Sequence, residues 1–134
     1  MNAWSHLPNA AHIDAILADA KARPEVWGAA YYVARRAARH VVLAAAWDAA
    51  RGAAPRAAWG AVWLAAWHEV RDTAQDAAQD AAWNSIRALI AWPESATLLD
   101  LTPDALRTII STCGGDVKHQ AVLLLPAVIA RSTP

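Results

Sequence analysis

A histidine and a glutamate on a predicted helix have the residue types and spacing closest to those of an enzyme site. His68 is followed by Glu69 and, four residues after the histidine, by Asp72. Zinc-dependent hydrolases place two metal-binding histidines at this helical spacing and use the adjacent glutamate as a general base. Here an aspartate replaces the second histidine, and the sequence offers no third ligand. We therefore expect no metal, no cofactor and no catalytic residue, and an enzyme that uses His68 and Glu69 is the third of three hypotheses.

Four acidic side chains in the same region form what we call the acidic ladder. Its members, which follow one another at helical spacing, are Glu69, Asp72, Asp76 and Asp80. Like charges four residues apart on a helix repel each other, so the ladder must be solvated, paired with internal cations or covered by a basic surface of another protein. The internal candidates are Arg35, Arg36 and Arg39. If a partner protein is bound, we expect the acidic ladder to be the binding surface.

The other reactive side chains match no known catalytic pattern. Cys113 stands beside two glycines, and no matched pair of a histidine and an acid is evident nearby in sequence, so we expect a small buried side chain rather than a nucleophile. A single cysteine excludes an internal disulfide and fits a reducing compartment. The first residues do not resemble a signal peptide, and the longest uncharged stretches are well short of the roughly 20 residues that span a bilayer. The sequence thus predicts a cytoplasmic protein without a membrane partner.

The elements that would position these groups come from a four-residue repeat. From Trp27 to residue 90 the chain divides into sixteen tetrads, beginning WGAA YYVA RRAA RHVV LAAA WDAA, with small or aliphatic residues at the third and fourth positions. Four residues exceed the helical turn, so the apolar face drifts by about 40° per tetrad. In one helix of sixteen tetrads, the apolar residues would therefore not stay on a single buried face. We expect at least two helices, divided near Gly52 and Pro55.

Helix start and stop signals give a map of the whole chain. The predicted segments are a helix over 9–22, a helix over 24–51, a helix over 54–92 bent near 68–73, a turn over 94–99, a helix from 103 to the glycines at 114 and 115, and a helix over 116–131. Asn9, Thr102 and Asp116 are the predicted N-caps, and Pro126 is expected to kink the last helix. No segment shows the alternating pattern of a strand.

This map predicts an all-α fold, an alanine-rich bundle of about five to six helices without a sheet. We expect one domain over 1–134, made of an N-terminal helix (1–23), tetrad-repeat helices (24–92) and a C-terminal helical module (93–134). Alanine supplies 36 residues and there is no phenylalanine, so eight tryptophans are the largest apolar side chains. Trp59, Trp63 and Trp67 follow one another at four-residue spacing and form one stripe. We expect this stripe to lie in the core or a subunit interface, with a tryptophan-lined ligand pocket as the alternative.

The net charge is zero, but the charges are unevenly distributed. Residues 21–56 carry seven basic and two acidic groups, and residues 57–104 carry two basic and seven acidic groups. A zero net charge argues against direct binding of nucleic acid, which needs an excess of lysine and arginine. The two stretches could pair with each other inside the fold, or one of them could face a partner protein.

Several motifs resemble those of a group of bacteriophage proteins. The WDAA-like tetrads are followed by residues 91–104 (AWPESATLLDLTPD) and 121–130 (AVLLLPAVIA). In the phage group, alanine-rich tetrads with Trp, Arg and Asp precede a C-terminal module with LLDL and LLLPAV. The resemblance covers roughly residues 44–130 and implies no catalytic residues, since none are established in that group.

The resemblance implies a small phage protein that acts in the cytoplasm of a host bacterium. Small phage proteins without enzymatic motifs often bind and block a host protein, and anti-CRISPR inhibitors are one such class. Our leading hypothesis is therefore a non-enzymatic protein that binds and inhibits a bacterial protein, most specifically an anti-CRISPR (anti-defence) inhibitor with a CRISPR–Cas component as partner. The second hypothesis is a self-associating structural or immunity-like module, in which alanine and tryptophan faces form a homo-oligomer interface.

Overall fold

The computed structural model describes residues 2–58 and 60–134, except for the side chain of Ala57. These residues form seven α-helices: α1 (Ala10–Ala22), α2 (Pro24–Ala37), α3 (His40–Ala53), α4 (Ala61–Arg71), α5 (Asp76–Ala91), α6 (Pro103–Thr112) and α7 (Gly115–Ser132). Two 3-10 helices, Arg56–Ala58 and Pro93–Asp100, precede α4 and α6. No strand occurs in the described part of the chain, which confirms the all-α class, although the helices outnumber the five to six that we expected.

The long helix predicted over 24–51 is wrong, because it is divided into α2 and α3. Ala38 and Arg39 between them have extended backbones, with φ −135° and ψ 133° at Ala38 and φ −70° and ψ 156° at Arg39. Neither residue is a helix breaker, so local propensity does not explain the division. The drift of the tetrad repeat does, because α2 and α3 each span three to four tetrads and can each keep one buried face. Both helices pack against α5 and α7.

The helix predicted over 54–92 is also divided, and the bend expected near 68–73 is a complete break. α4 begins after Gly60, whose φ is 81°, and ends at Arg71. α5 begins after Gln75, which has a positive φ of 72°. The Gln79 side chain holds the connection by donating from Nε2 to the Thr73 carbonyl oxygen at 2.8 Å. The division near Gly52 and Pro55 is confirmed, but Pro55 precedes a short 3-10 helix instead of opening α4.

The core is centred on α5 and α7. α7 packs against α2, α3, α5 and α6, and it buries three consecutive leucines, Leu123, Leu124 and Leu125. On α5, alanines occupy many of the buried positions, so neighbouring backbones can approach closely. At Gly28 of α2, an added Cβ would lie 3.9 Å from the backbone nitrogen of Ala78 and 2.8 Å from the Oε1 atom of the Gln75 side chain. One cluster of buried apolar residues extends from Trp4 to Ala130.

Two of the three predicted caps do not form. Asn9 precedes α1, but its side chain makes no cap hydrogen bond to that helix. Asp116 lies inside α7, which begins at Gly115 and has no side-chain cap. Thr102 is confirmed as the cap of α6, since its hydroxyl oxygen accepts a hydrogen bond from the Ala105 N–H at 3.1 Å. α7 includes Pro126, at which we expected a kink, and extends to Ser132.

None of the helices in residues 2–58 and 60–134 combines the length and the hydropathy that a membrane span requires. α2 and α3 alternate buried and exposed positions, as expected where one face meets the core, whereas α5 over 81–91 and α7 over 120–130 are buried at nearly every position.

Candidate functional site

The tryptophan stripe of α4 meets a tryptophan of α5. Trp63 and Trp67 are one helical turn apart, so both side chains leave the same face of α4. The ring centroid of Trp83 lies 5.3 Å from that of Trp63, edge-on, and 5.5 Å from that of Trp67. Trp63 and Trp67 are half-buried and Trp83 is buried. Trp59, which we placed in the same stripe, lies outside the described residues.

An arginine lies between two of the tryptophan rings. Arg87 follows Trp83 by one turn of α5, and its guanidinium carbon is 5.0 Å from the centroid of the Trp83 ring. The same carbon is 5.3 Å from the centroid of the Trp47 ring on α3. The Trp47 indole is held in place because its Nε1 donates to the Asn84 Oδ1 atom at 2.7 Å. A cation at this distance from two indole rings is attracted to both.

These side chains line two adjoining depressions that we call together the tryptophan groove. The larger has a volume of about 520 Å³ and is lined by Gly60, Trp63, Leu64, Trp67, Trp83 and Arg87. The smaller has a volume of about 260 Å³ and is lined by Trp47, Asp48, Arg51, Trp63 and Arg87. Trp63 and Arg87 belong to both depressions. Their volumes fall at or near the range of ligand and peptide sites.

Arg87 is a cation in an apolar setting. Burial lowers the pKa of Arg87 to about 10, with the charge of Asp80 opposing the change and that of Arg51 adding to it. The side chain is therefore still charged at neutral pH. Its Nε atom is buried without a hydrogen-bond acceptor. In the described part of the chain, no carboxylate lies within ion-pair distance of its guanidinium group.

The acidic ladder is not continuous. The prediction that its four members follow one another at helical spacing is wrong, because a break between α4 and α5 divides them. Glu69 and Asp72 lie at the end of α4, whereas Asp76 and Asp80 lie in the first turns of α5. Because residues 72–75 are not helical, the two halves of the ladder do not belong to one helix and do not share one helix face. Glu69 is engaged with α1, because its Oε2 atom accepts a hydrogen bond from Lys21 Nζ at 2.6 Å. The three aspartates are exposed.

The α5 half of the acidic ladder leads into the tryptophan groove. Asp76, Asp80, Trp83 and Arg87 are spaced by four, three and four residues, which places them on one face of α5. Burial raises the pKa of Asp80, while the charges of Arg87 and Arg35 oppose the rise and that of Asp76 adds to it. Arg35, one of the three internal cations that we expected near the ladder, thus acts on Asp80.

The two other expected cations and the proposed enzyme residues are placed elsewhere. No ion pair within residues 2–58 and 60–134 joins Arg36 or Arg39 to the ladder. His68 is exposed on α4, and no three metal-binding side chains converge in the described part of the chain. Cys113 is exposed, so our expectation of a buried thiol is wrong. It follows the C-terminus of α6, where the apolar face of the helix has ended.

Sequence reasoning missed Trp47, Trp83 and Arg87, although the repeat contains the signal. The three residues stand at the first position of their tetrads, as do Trp63 and Trp67. The tryptophan groove therefore collects first-position side chains from α3, α4 and α5. Which tetrads meet depends on how the helices are oriented after the breaks between them. The sequence indicated where these breaks lie but not the orientation that follows from them.

Comparisons with known proteins return no relative. No family model, curated protein or solved structure matches the chain. The resemblance to phage proteins and the anti-CRISPR identity therefore stay hypotheses, and the chemistry of the tryptophan groove is the main guide to function.

Proposed function

We propose that the protein is a non-enzymatic, phage-type protein that binds a bacterial protein through its tryptophan groove. The observation that carries this proposal is the group of four tryptophans around Arg87, open to solvent beside the exposed Leu64. Tryptophan and arginine are the residues most enriched at the energetic centres of protein interfaces. Large exposed apolar side chains beside them are typical of surfaces that are covered when a partner binds.

The aspartates of the acidic ladder form a charged rim in this proposal. Asp76 and Asp80 share the α5 face with Trp83 and Arg87, and Asp72 is exposed at the preceding break. Charges at the rim of an interface speed association and select partners more than they add affinity. The rim favours a partner whose surface is basic, such as one that normally binds nucleic acid.

Basic surfaces of this kind lead to the finer proposal of an anti-CRISPR inhibitor. Proteins that hold a guide or target strand carry grooves of positive charge, and three exposed aspartates could occupy such a groove in place of phosphates. The resemblance to phage proteins favours the same setting, the cytoplasm of a host bacterium. A CRISPR–Cas component is therefore the partner that we propose.

Affinity capture tests the proposal directly. The tagged protein would be incubated with lysates of bacteria that have active CRISPR systems, and the bound proteins identified by mass spectrometry. We expect one bacterial protein in stoichiometric amount, and a Cas component if the finer proposal is right. A phage-plating assay in the same strains should then show restored plaques. Recovery of the bait alone would contradict the proposal.

Charge reversal tests the role of the rim. Replacing the three exposed aspartates of the acidic ladder by lysine should abolish capture while the far-ultraviolet circular dichroism stays unchanged. The substitutions are Asp72→Lys, Asp76→Lys and Asp80→Lys. A matched control reverses three exposed acids outside the tryptophan groove, Glu25, Asp100 and Asp116. If the control loses the partner equally, or the ladder variant keeps it, the rim has no specific role.

Two further measurements test the self-association and enzyme hypotheses. A mass well above 14.3 kDa in light scattering, without any bacterial partner, would favour the self-associating structural or immunity-like module. In that case a second copy would cover Leu64 and the tryptophans. Loss of function on replacing His68 and Glu69 by alanine, with capture intact, would favour the enzyme hypothesis.

A further inference from the structure

The strongest unused feature of the tryptophan groove is the cation at its centre. Arg87 lines both depressions of the groove. Its Nε atom is buried and has no acceptor, and no carboxylate of the described residues lies within ion-pair distance. A guanidinium group held between indole rings loses part of its hydration, and among the acceptors that could replace the lost water an anion forms the strongest hydrogen bonds. The groove therefore contains a charge that is not neutralised by a direct partner.

The face of α5 that carries Arg87 presents acidic, aromatic and basic side chains in a fixed order along the helix. From the N-terminal end it presents Asp76, Asp80, Trp83 and then Arg87, which is negative, negative, aromatic and positive. Asp80 and Arg87 are seven residues apart, so about 10 Å of helix axis separates them. A segment lying along this face would need the reverse order of charges to complement it.

We propose that the tryptophan groove binds a protein segment that presents a carboxylate to Arg87, an apolar side chain to Trp83 and a basic side chain to Asp80. The inference rests on the proposed function, since it specifies the partner segment for the same groove. The carboxylate accepts two parallel hydrogen bonds from the guanidinium group, a geometry that lysine could not offer. The carboxylate would lie against apolar indole rings, where the attraction between charges is stronger than in bulk water.

The acids around the groove favour a carboxylate over a nucleic-acid phosphate. Asp48 lines the smaller depression, and Asp80 is close enough for its charge to act on Arg87. A strand of nucleic acid would bring many phosphates past these aspartates and the exposed Asp76, and each would be repelled. A side-chain carboxylate is a single compact charge that can reach Arg87, and Arg51 in the smaller depression attracts it as well. The basic residue next to it is attracted to Asp80.

Matched peptides provide the test. The probe is a capped helical peptide with a lysine and a glutamate about two turns apart and leucines between them, prepared in both chain orders. Its control has glutamine in place of the glutamate. Each is titrated into the isotope-labelled full chain, and the indole N–H signals are followed by nuclear magnetic resonance. We expect one chain order of the glutamate peptide to shift the signals of Trp63, Trp67 and Trp83 and to bind roughly tenfold more tightly than its glutamine counterpart.

Variants assign this preference to Arg87. Arg87→Met keeps the apolar stem and removes the charge, so it should bind both peptides with the weaker affinity. Arg107→Met removes an exposed arginine of α6 and should leave the preference unchanged. Equal binding of the two peptides by the unaltered protein, no shift of the indole signals, or a preference that survives in Arg87→Met would overturn the inference. The comparison of peptides on the unaltered protein decides the matter even if Arg87→Met fails to fold.

The outcome separates this inference from the proposed function. If a bacterial protein is captured through the groove but the glutamate peptide shows no preference, only the carboxylate inference fails. If the peptide preference depends on Arg87 but no bacterial protein is captured, the carboxylate site stands and the proposed function fails.

Discussion

Asn9 joins the N-terminal segment to the middle of the chain through a single buried amide. Its Nδ2 atom lies 3.0 Å from the carbonyl oxygen of Leu89, 3.3 Å from that of Trp92 and 3.2 Å from that of Pro93. The Trp92 carbonyl also accepts a hydrogen bond from the Ser95 N–H at 3.0 Å. The Leu89 carbonyl has no helical donor, because the residue four positions on is Pro93, which has no N–H group. A residue predicted to cap the start of α1 thus helps to cap the end of α5.

Replacing Asn9 by alanine should therefore destabilise the fold. The substitution leaves the buried Leu89 carbonyl oxygen without a donor, which costs about 1–3 kcal/mol. Urea denaturation followed by circular dichroism measures the loss. Asn2→Ala is the control, because Asn2 is exposed and its hydrogen bond to Asp14 lies at the surface, so a change within about 0.5 kcal/mol is expected. Equal effects of the two substitutions would contradict the role of Asn9.

Asp19 makes the stability depend on pH. Hydrogen bonds from the Arg23 guanidinium hold the pKa of Asp19 below its ordinary value, burial opposes this, and a hydrogen bond from the Trp27 indole adds to it. Because the folded state has the lower pKa, the carboxylate stabilises the fold above its unfolded pKa of about 3.9, and this contribution is lost as the pH falls through the folded value.

Asp19→Asn should accordingly be less stable than the unaltered protein at neutral pH and should lose that difference in strong acid. Urea unfolding near pH 7 and near pH 2 measures both states. The exposed Asp100, replaced in the same way, serves as the control and should change the stability little at either pH. A destabilisation by Asp19→Asn that persists in strong acid would show that packing, not charge, is responsible.

At the scale of the elements, the sequence predicted the helices better than their ends. Gly52 and Pro55 marked the division after α3 because glycine and proline act locally. The division at Ala38 and Arg39 has no local signal, since alanine and arginine favour helix. It depends on how two stretches of the tetrad repeat each bury a face against α5 and α7, which is a property of the assembled bundle.

The same limit applies to the candidate site. The four-residue spacing of Trp63 and Trp67 placed them on one helix face, and the structure agrees. Their contacts with Trp83 and the position of Arg87 could not be predicted from helical spacing. The turn at 72–75 separates α4 from α5, so residues of the two helices no longer follow a single helical repeat. The predicted helical spacing of the acidic ladder is wrong for the same reason, because its members lie on both sides of this turn.

The turn between α4 and α5 also provides a prediction for stability. Gln75 has a φ of 72°, which costs a residue with a side chain on the order of 1 kcal/mol or more. Gln75→Gly should therefore raise the free energy of unfolding by about 1 kcal/mol. Gln79→Ala removes the hydrogen bond to the Thr73 carbonyl and should lower it by a similar amount. Thermal unfolding measures both, and a loss of stability in Gln75→Gly would mean that its side chain outweighs the strain.

At the scale of the whole molecule, the opposite charges of two stretches are partly joined and partly exposed. Lys21 of the basic stretch pairs with Glu69 of the acidic one, so some of the balance is internal. The aspartates at positions 72, 76 and 80 stay exposed, next to a groove of tryptophans around Arg87. Although the net charge of the chain is zero, one surface combines exposed aspartates, tryptophans and an arginine. We propose that the partner binds at this surface.

Capture of the bacterial partner by two matched variants tests this proposal most directly. Leu64→Glu places a charge in the tryptophan groove at a side chain that is 55% exposed, and Val117→Glu places the same charge on α7, outside the groove lining, at one that is 40% exposed. Both positions are exposed, so both variants should fold. We expect Leu64→Glu to lose the partner by at least roughly tenfold and Val117→Glu to retain it. Capture of the partner by Leu64→Glu as strong as that by Val117→Glu would contradict the assignment of the tryptophan groove as the binding surface.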